Sequence, residues 1–304
     1  MSDQAKTLRG LVERQKAMQT VVDEPLPAGA RRAKTIAIAG AKGGVGKTNI
    51  ALNLAIALSQ MDLRVCLLDA NLGLGNVELL CGLNGYWNLS HVIVGSRKLS
   101  DIVLEGPDGI SVIPGASGLC DLADCSDGDR REILHQLATL EQSHDYIIID
   151  TGAGIHRAVR QLVAAADIAL VVTTPEPTSI ADAYAGIKAL MAHDVPVMEV
   201  VVNRAESSQQ ARAIMEGLQN TVRLFLRSSI ASAGMIPDGR DVPAAVARRR
   251  PFLIDSPHCP ASVAIRQLAR RMTNLAQSQP SRGSFFPRVS EPLRNNKATV
   301  NKAA

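Results

Sequence analysis

One stretch limits the fold of this chain more than any other. Gly40-Ala41-Lys42-Gly43-Gly44-Val45-Gly46-Lys47-Thr48 follows the apolar run Thr35–Ala39 and precedes a helical pattern that starts near Asn49. The spacing is G-x-x-x-x-G-K-[ST], set between a strand and a helix as this loop requires. Its glycines let backbone N–H groups turn inward around phosphate oxygens, and the helix aims its positive end at them. In such a loop Lys47 reaches the β- and γ-phosphates and the Thr48 hydroxyl goes to Mg²⁺. The expected ligands of the chain are therefore a nucleoside triphosphate and Mg²⁺.

Beyond the loop, strand-like and helical runs alternate. Val65–Asp69, Ile110–Pro114, Tyr146–Asp150, Ala169–Thr173, Val197–Asn203 and Ser229–Ile236 read as strands. Helical patterns lie at Asn49–Gln60, Asp129–Gln142, Ile155–Ala166, Thr178–His193, Gln209–Leu226, Pro243–Arg250 and Pro260–Ala276. Alternation of this kind predicts an α/β fold, a doubly wound and mostly parallel sheet with helices on both faces. Aromatic residues are only 3% of the 304, so the core must be aliphatic, as suits strands buried on both faces. The same scarcity argues against a binder of single-stranded nucleic acid built on stacking.

The net charge of +4 is unevenly spread: residues 1–35 carry +3, 36–199 carry −9, 200–279 carry +6 and 280–304 carry +4. Basic ends around an acidic middle leave open an anionic partner, membrane or nucleic acid. Five cysteines without a C-x-x-C fit a reducing compartment better than a disulfide framework. The charged start MSDQAKTLRG lacks the apolar stretch of a signal peptide. The organisation expected is a helix over 1–19, a Pro/Gly linker over 20–33, the main domain over 34–277 and a disordered basic tail over 278–304.

Lys42 narrows the reading. The run KGGVGKT, Lys42–Thr48, resembles the deviant Walker A loop of the MinD/ParA ATPases. That resemblance implies that Lys42 crosses an ATP-bound homodimer to the partner's phosphates, beside Gly43, Gly44, Val45, Gly46, Lys47, Thr48 and Asn49. Tyr146-Ile147-Ile148-Ile149-Asp150 resembles the Walker B strand, with Asp150 on a Mg²⁺-bound water. Thr151-Gly152-Ala153-Gly154 resembles the second switch, where the Gly152 N–H senses the γ-phosphate. The family's base-binding positions fall on Asn203 and Arg204, and on Pro237 and Asp238.

At the first switch the chain departs from its relatives. The family's D-x-D stands here as Asp69-Ala70-Asn71. Asp69 is expected to support the Mg²⁺ shell, and Asn71 takes the place of the second Asp. An amide holds a water by hydrogen bonds but cannot take its proton. Slow hydrolysis, and a long-lived ATP-bound dimer, are the expectation.

Asp69–Leu83, DANLGLGNVELLCGL, resembles the corresponding stretch of the flagellum-number regulators of the FlhG, FleN and YlxH type. Asp3-Gln4-Ala5-Lys6-Thr7-Leu8-Arg9 resembles that group's D-Q-A-x-x-L-R activator motif. The resemblance implies an arm that binds the GTPase FlhF, with Gln4 completing the partner's catalytic site and Leu8 docking the apolar face. Flagellar basal-body and switch components are the other implied partners. Relatives end in an amphipathic membrane helix, whereas Pro287 and Pro292 interrupt any helix here. Weak or no autonomous membrane binding follows, and the expected place is the cytoplasm, with a peripheral position at the inner face of the membrane left open. Two alternatives stay open: a ParA-like partition ATPase using Arg248–Arg250, Arg266, Arg270 and Arg271 on DNA phosphates, and an ATP-binding scaffold that does not hydrolyse.

Overall fold

The computed structural model describes residues 32–71, 76–115, 118–119, 122, 126–193, 197–280, 282–291 and 293. The chain divides into two units, 1–31 and 32–304, and every described residue falls in the second. The expected activator helix, with Asp3, Gln4, Ala5, Leu8 and Arg9, lies outside the described residues.

Eight strands form one sheet: β1 (Lys34–Ala39), β2 (Val65–Asp69), β3 (Leu104–Glu105), β4 (Ser111–Ile113), β5 (Tyr146–Asp150), β6 (Ile168–Thr173), β7 (Val197–Ala205) and β8 (Ala231–Pro237). Their order is β3-β4-β2-β5-β1-β6-β7-β8. All neighbours are parallel except β3, which pairs antiparallel with β4. The expected doubly wound sheet is thus present. The two-residue β3 has no periodicity to betray it in sequence.

The main helices are α1 (Lys47–Ser59), α4 (Asp127–Ser143), α5 (Arg157–Ala165), α6 (Pro177–Met191), α7 (Ser208–Thr221) and α10 (Pro260–Ser278). Shorter ones are α2 (Asn76–Cys81), α3 (Leu89–Ile93), α8 (Asp241–Ala247), α9 (Phe252–Asp255) and α11 (Phe285–Ser290). The strands divide their side chains between two cores. Ala37 and Ala39 of β1 face the layer holding α4, α5, α6 and α7, while Ile36 and Ile38 face α1 and α10. Every residue of β2, β5 and β6 is buried, as the near-continuous apolar runs require. Helix α1 is apolar on nearly all sides and ten of its residues are buried, so it is a core helix behind the loop that precedes it. The expected helix over Gln209–Leu226 is α7 followed by a wider turn over Val222–Leu226.

The expectation of a disordered tail over 278–304 is corrected for its described part. Phe285, Phe286 and Val289 are fully buried against α4 and α5. Pro287 is the third residue of α11, where its missing N–H has no intrahelical acceptor, so the proline starts the helix instead of stopping it. Buried Glu141 of α4 caps this helix. Its Oε1 accepts from Ser284 Oγ at 2.6 Å, Phe285 N at 2.9 Å and Phe286 N at 3.3 Å. Its Oε2 lies 3.7 Å from Arg32 Nε. Arg282 donates to the carbonyls of Ala164 and Ala166 at the end of α5, and Arg288 lies 3.6 Å from Asp167. Two basic residues expected to face solvent or lipid are therefore partnered by the domain itself.

Candidate active site

The strand order reverses around β1, which is flanked by β5 and β6, and crevices at the carboxyl ends of strands beside such a reversal are where α/β sheets bind ligands. Every sequence-derived candidate of the described unit comes from a loop or strand end on this edge, or from the first turn of α1. Gly44 and Gly46 have φ of +76° and +98°, the left-handed region that glycine occupies at no steric cost. A Cβ on Gly46 would lie 2.3 Å from Asn203 Nδ2, which donates to Val45 O at 2.8 Å. Asn203, at the end of β7, thereby braces the loop. Arg204 follows with φ +56° and is exposed. Pro237 ends β8, and Asp238 N donates to Ala205 O at 3.0 Å, tying the ends of β7 and β8 together.

The two loop lysines behave differently. Lys47 is buried, 7% exposed, and its Nζ donates to Lys42 O at 3.1 Å. Burial lowers its pKa, opposed by the charge of Asp150. Lys42 instead carries its ammonium outward to Glu176, and to Thr178 Oγ1 at 2.8 Å.

Thr48 Oγ1 donates to Asp150 Oδ2 at 2.6 Å. Asp150 Oδ1 is buried with no hydrogen-bond partner among the described residues. Burial pushes this carboxyl up to about 7, with Thr48 and Lys47 pulling it down and Asp69 adding to the rise. Asp69 sits beside it in parallel register, Asp69 opposite Asp150. Its Oδ1 accepts from Asn71 N at 3.1 Å and its Oδ2 from Val77 N at 3.2 Å. An orphaned buried carboxylate oxygen, a second carboxylate and a threonine hydroxyl form a hard oxygen set, which fits Mg²⁺.

The segment Thr151–Gly154 closes the other side. Thr151 Oγ1 donates to Ile38 O at 2.9 Å, and Gly154 N to Gly40 O at 3.4 Å. Gly152 has φ +36°, and a Cβ there would lie 3.1 Å from Asn71 Oδ1. The segments after β2 and β5 therefore meet at Asn71 and Gly152. A Cβ on Gly43 would come no nearer than 4.0 Å to the neighbouring Ala153 methyl, so this glycine leaves open space.

Glu176 and Thr178 were not among the sequence candidates. The available signal was Thr174-Pro175-Glu176-Pro177-Thr178, an acid between a buried strand's end and a helix start on the same sheet edge as the loop. Three of the six arginines considered for DNA phosphates are engaged within the chain. Arg248 pairs with Asp255, Arg271 donates to both oxygens of Glu199 at 2.6 Å, and Arg266 donates to Pro257 O at 2.5 Å.

Fold and site together define a phosphate-loop nucleotide-binding protein. The family model described as an AAA domain matches residues 33–203. The chain is 38% identical over 240 residues to the antiactivator FleN of Pseudomonas aeruginosa, covering 79% of this chain and 86% of that one. It is 36% identical over 185 residues to the flagellum site-determining protein YlxH of Helicobacter pylori, covering 61% of this chain and 63% of that one. Its fold is similar to the MinC:MinD cell division protein complex of Aquifex aeolicus, with a TM-score of 0.64, 28% identity, and coverage of 83% of this chain and 99% of that one. The chain belongs to the MinD/ParA family of P-loop ATPases, near the flagellar regulators FleN and YlxH.

Proposed function

We propose that this protein is an ATP-dependent switch controlling flagellar number or placement. ATP closes a homodimer, hydrolysis reopens it, and the dimer surface carries the output. The observation that carries the reading is Lys42 in KGGVGKT, joined to the likeness to FleN over most of both chains. The N-terminal arm is assigned the stimulation of an FlhF-type GTPase, and flagellar basal-body components are the further partners.

The site residues take these roles. Backbone N–H groups of Gly43–Thr48 and the Lys47 ammonium hold phosphate oxygens, with Asn49 in the first turn of α1. Thr48 and Asp150 hold Mg²⁺, and Asp69 orients its water shell. When bound, the ion neutralises charge developing on the β- and γ-oxygens. Asn71 positions the attacking water without accepting its proton, which makes hydrolysis slow. Gly152 reads the γ-phosphate, and Asn203, Arg204, Pro237 and Asp238 line the base. The pairing of Arg248, Arg266 and Arg271 inside the chain favours this reading over DNA partition. No described helix is long and apolar enough to cross a membrane. The proposed place is the cytoplasm, without strong membrane binding of its own.

Size-exclusion with light scattering tests the switch. Wild type is expected to dimerise in ATP and not in ADP, and Lys42→Ala to stay monomeric in both. A wild type indifferent to nucleotide overturns the reading. For the arm, a peptide of residues 1–20 is expected to raise FlhF GTPase activity, and the Gln4→Ala peptide to fail. Equal activity removes the role given to Gln4.

A further inference from the structure

One buried hydroxyl near the phosphate loop has no role in the assignments above. Thr174 is 2% exposed, and its Oγ1 has no hydrogen-bond partner among the described residues. It is the residue after β6, and Pro175 keeps it extended. Its neighbour Thr173 turns to the opposite face, where Ser179 Oγ lies 3.2 Å from Thr173 Oγ1 and accepts from Thr174 N at 3.0 Å. Thr174 therefore follows Leu170 and Val172 onto the α1 face of the sheet. Asn203, two residues after Val201, is on that face too and is 9% exposed. The last rung between β6 and β7 joins Thr173 to Val202. Thr174 and Asn203 come next, side by side, on strands about 4.8 Å apart.

We propose that Thr174 is a positioning residue for the base that acts through Asn203, its hydroxyl donating to Asn203 Oδ1 when nucleotide is bound. This rests on the reading of Asn203 as a base contact. A primary amide has two N–H donors and two acceptor lone pairs. Val45 O takes one donor, at 2.8 Å, which fixes the end of the amide that carries the nitrogen. The Thr174 hydroxyl takes one lone pair of the oxygen. One N–H and one lone pair remain. They match adenine, which offers the N7 acceptor and the N6 amine donor along one edge, whereas guanine offers two acceptors there, N7 and O6. A buried hydroxyl without a partner is costly to keep, and holding Asn203 for the base is the use that offsets the cost. Losing one such hydrogen bond changes an equilibrium constant roughly three- to tenfold.

The test uses the full chain and two readouts. Calorimetry gives the dissociation constants of ATP and GTP, each with Mg²⁺, for wild type, Thr174→Val and Thr174→Ser. Urea unfolding without nucleotide gives their stabilities. Thr174→Val keeps the shape and removes the unpaired hydroxyl, so its urea midpoint should equal or exceed that of wild type. Its ATP affinity should fall roughly three- to tenfold, its GTP affinity should change less, and Thr174→Ser should keep both near wild type. Unchanged ATP affinity in Thr174→Val overturns the proposal, and so does an equal loss for ATP and GTP where wild type prefers ATP. A lowered urea midpoint in Thr174→Val means that the hydroxyl serves the fold, and overturns it too. If wild type binds ATP and GTP alike, the base reading of Asn203 fails. ATP affinity then decides the hydroxyl alone: a fall that serine restores keeps its hold on Asn203, and no fall removes it.

Discussion

The Thr48 hydroxyl and the Asp150 carboxylate share a 2.6 Å hydrogen bond, which leaves the second oxygen of Asp150 buried and unpartnered among the described residues. Burying such an oxygen without a partner is costly, and a bound cation would offset that cost. Asp150→Asn keeps the size and an acceptor but loses the charge. The expected outcome is that Mg²⁺ no longer adds to the thermal stabilisation by ATP, while ATP without Mg²⁺ stabilises as in wild type. Thermal shift with and without Mg²⁺ checks this, and an intact Mg²⁺ increment in the variant contradicts it.

Asn71 lies half-buried against Gly152, with its own N–H held by Asp69. Asn71→Asp restores a proton acceptor in the same shape. Steady-state ATP turnover should rise about tenfold or more. Unchanged turnover would mean that positioning alone limits the reaction.

Gly46 combines φ +98° with the Asn203 side chain 2.3 Å from where a Cβ would stand. Gly46→Ala strains the loop and displaces the Asn203 brace from Val45 O. Nucleotide affinity by calorimetry should fall about tenfold or more, the scale of one strained backbone position. Gly44→Ala, which meets no atom within 4 Å, isolates the backbone strain from the clash.

Glu141 gives the fold a pH dependence. Burial raises its carboxyl, against the hydrogen bonds from Ser284, Phe286 and Phe285 and the charge of Arg32. Between the ordinary glutamate value and the raised one, the folded chain binds more protons than the unfolded chain. Its contribution is therefore greatest below the ordinary value and declines as pH climbs through that window. Glu141→Gln keeps an acceptor for the three donors and removes this slope, so urea unfolding at several pH values should show a flatter profile. Glu141→Ala orphans buried donors and should cost about 2–4 kcal/mol.

Much of the site was legible because it is local. The Gly40–Thr48 loop, the Tyr146–Asp150 strand and the Asp69/Asn71 pair each announce themselves within a few residues. The sheet was legible because apolar runs five or six residues long can hardly be placed anywhere but a buried strand. What escaped depends on distant partners. The Phe285–Phe286 pair looked like part of a Pro- and Ser-rich tail, because only the fold brings Glu141 to cap it and α4 and α5 to cover it. The short β3, α2, α3 and α9 carry too few residues for a period. The contact of Lys42 with Glu176 joins residues 134 apart, and nothing near Lys42 foretells it.

The parallel pairing of β2 with β5 sets Asp69 opposite Asp150 as the last rung of a ladder that begins at Val65 and Tyr146. Neighbouring strands stand about 4.8 Å apart, so backbone bonding alone sets the two acids side by side. Side chains alternate between faces, and a slip of one residue would send Asp69 to the other side of the sheet and exchange the side chains that fill the two cores at the same time. An error in the acid pair would then also be an error in the core. The spacing of the two acids is guarded by the cooperativity of folding itself, which a pair carried on a flexible loop would lack.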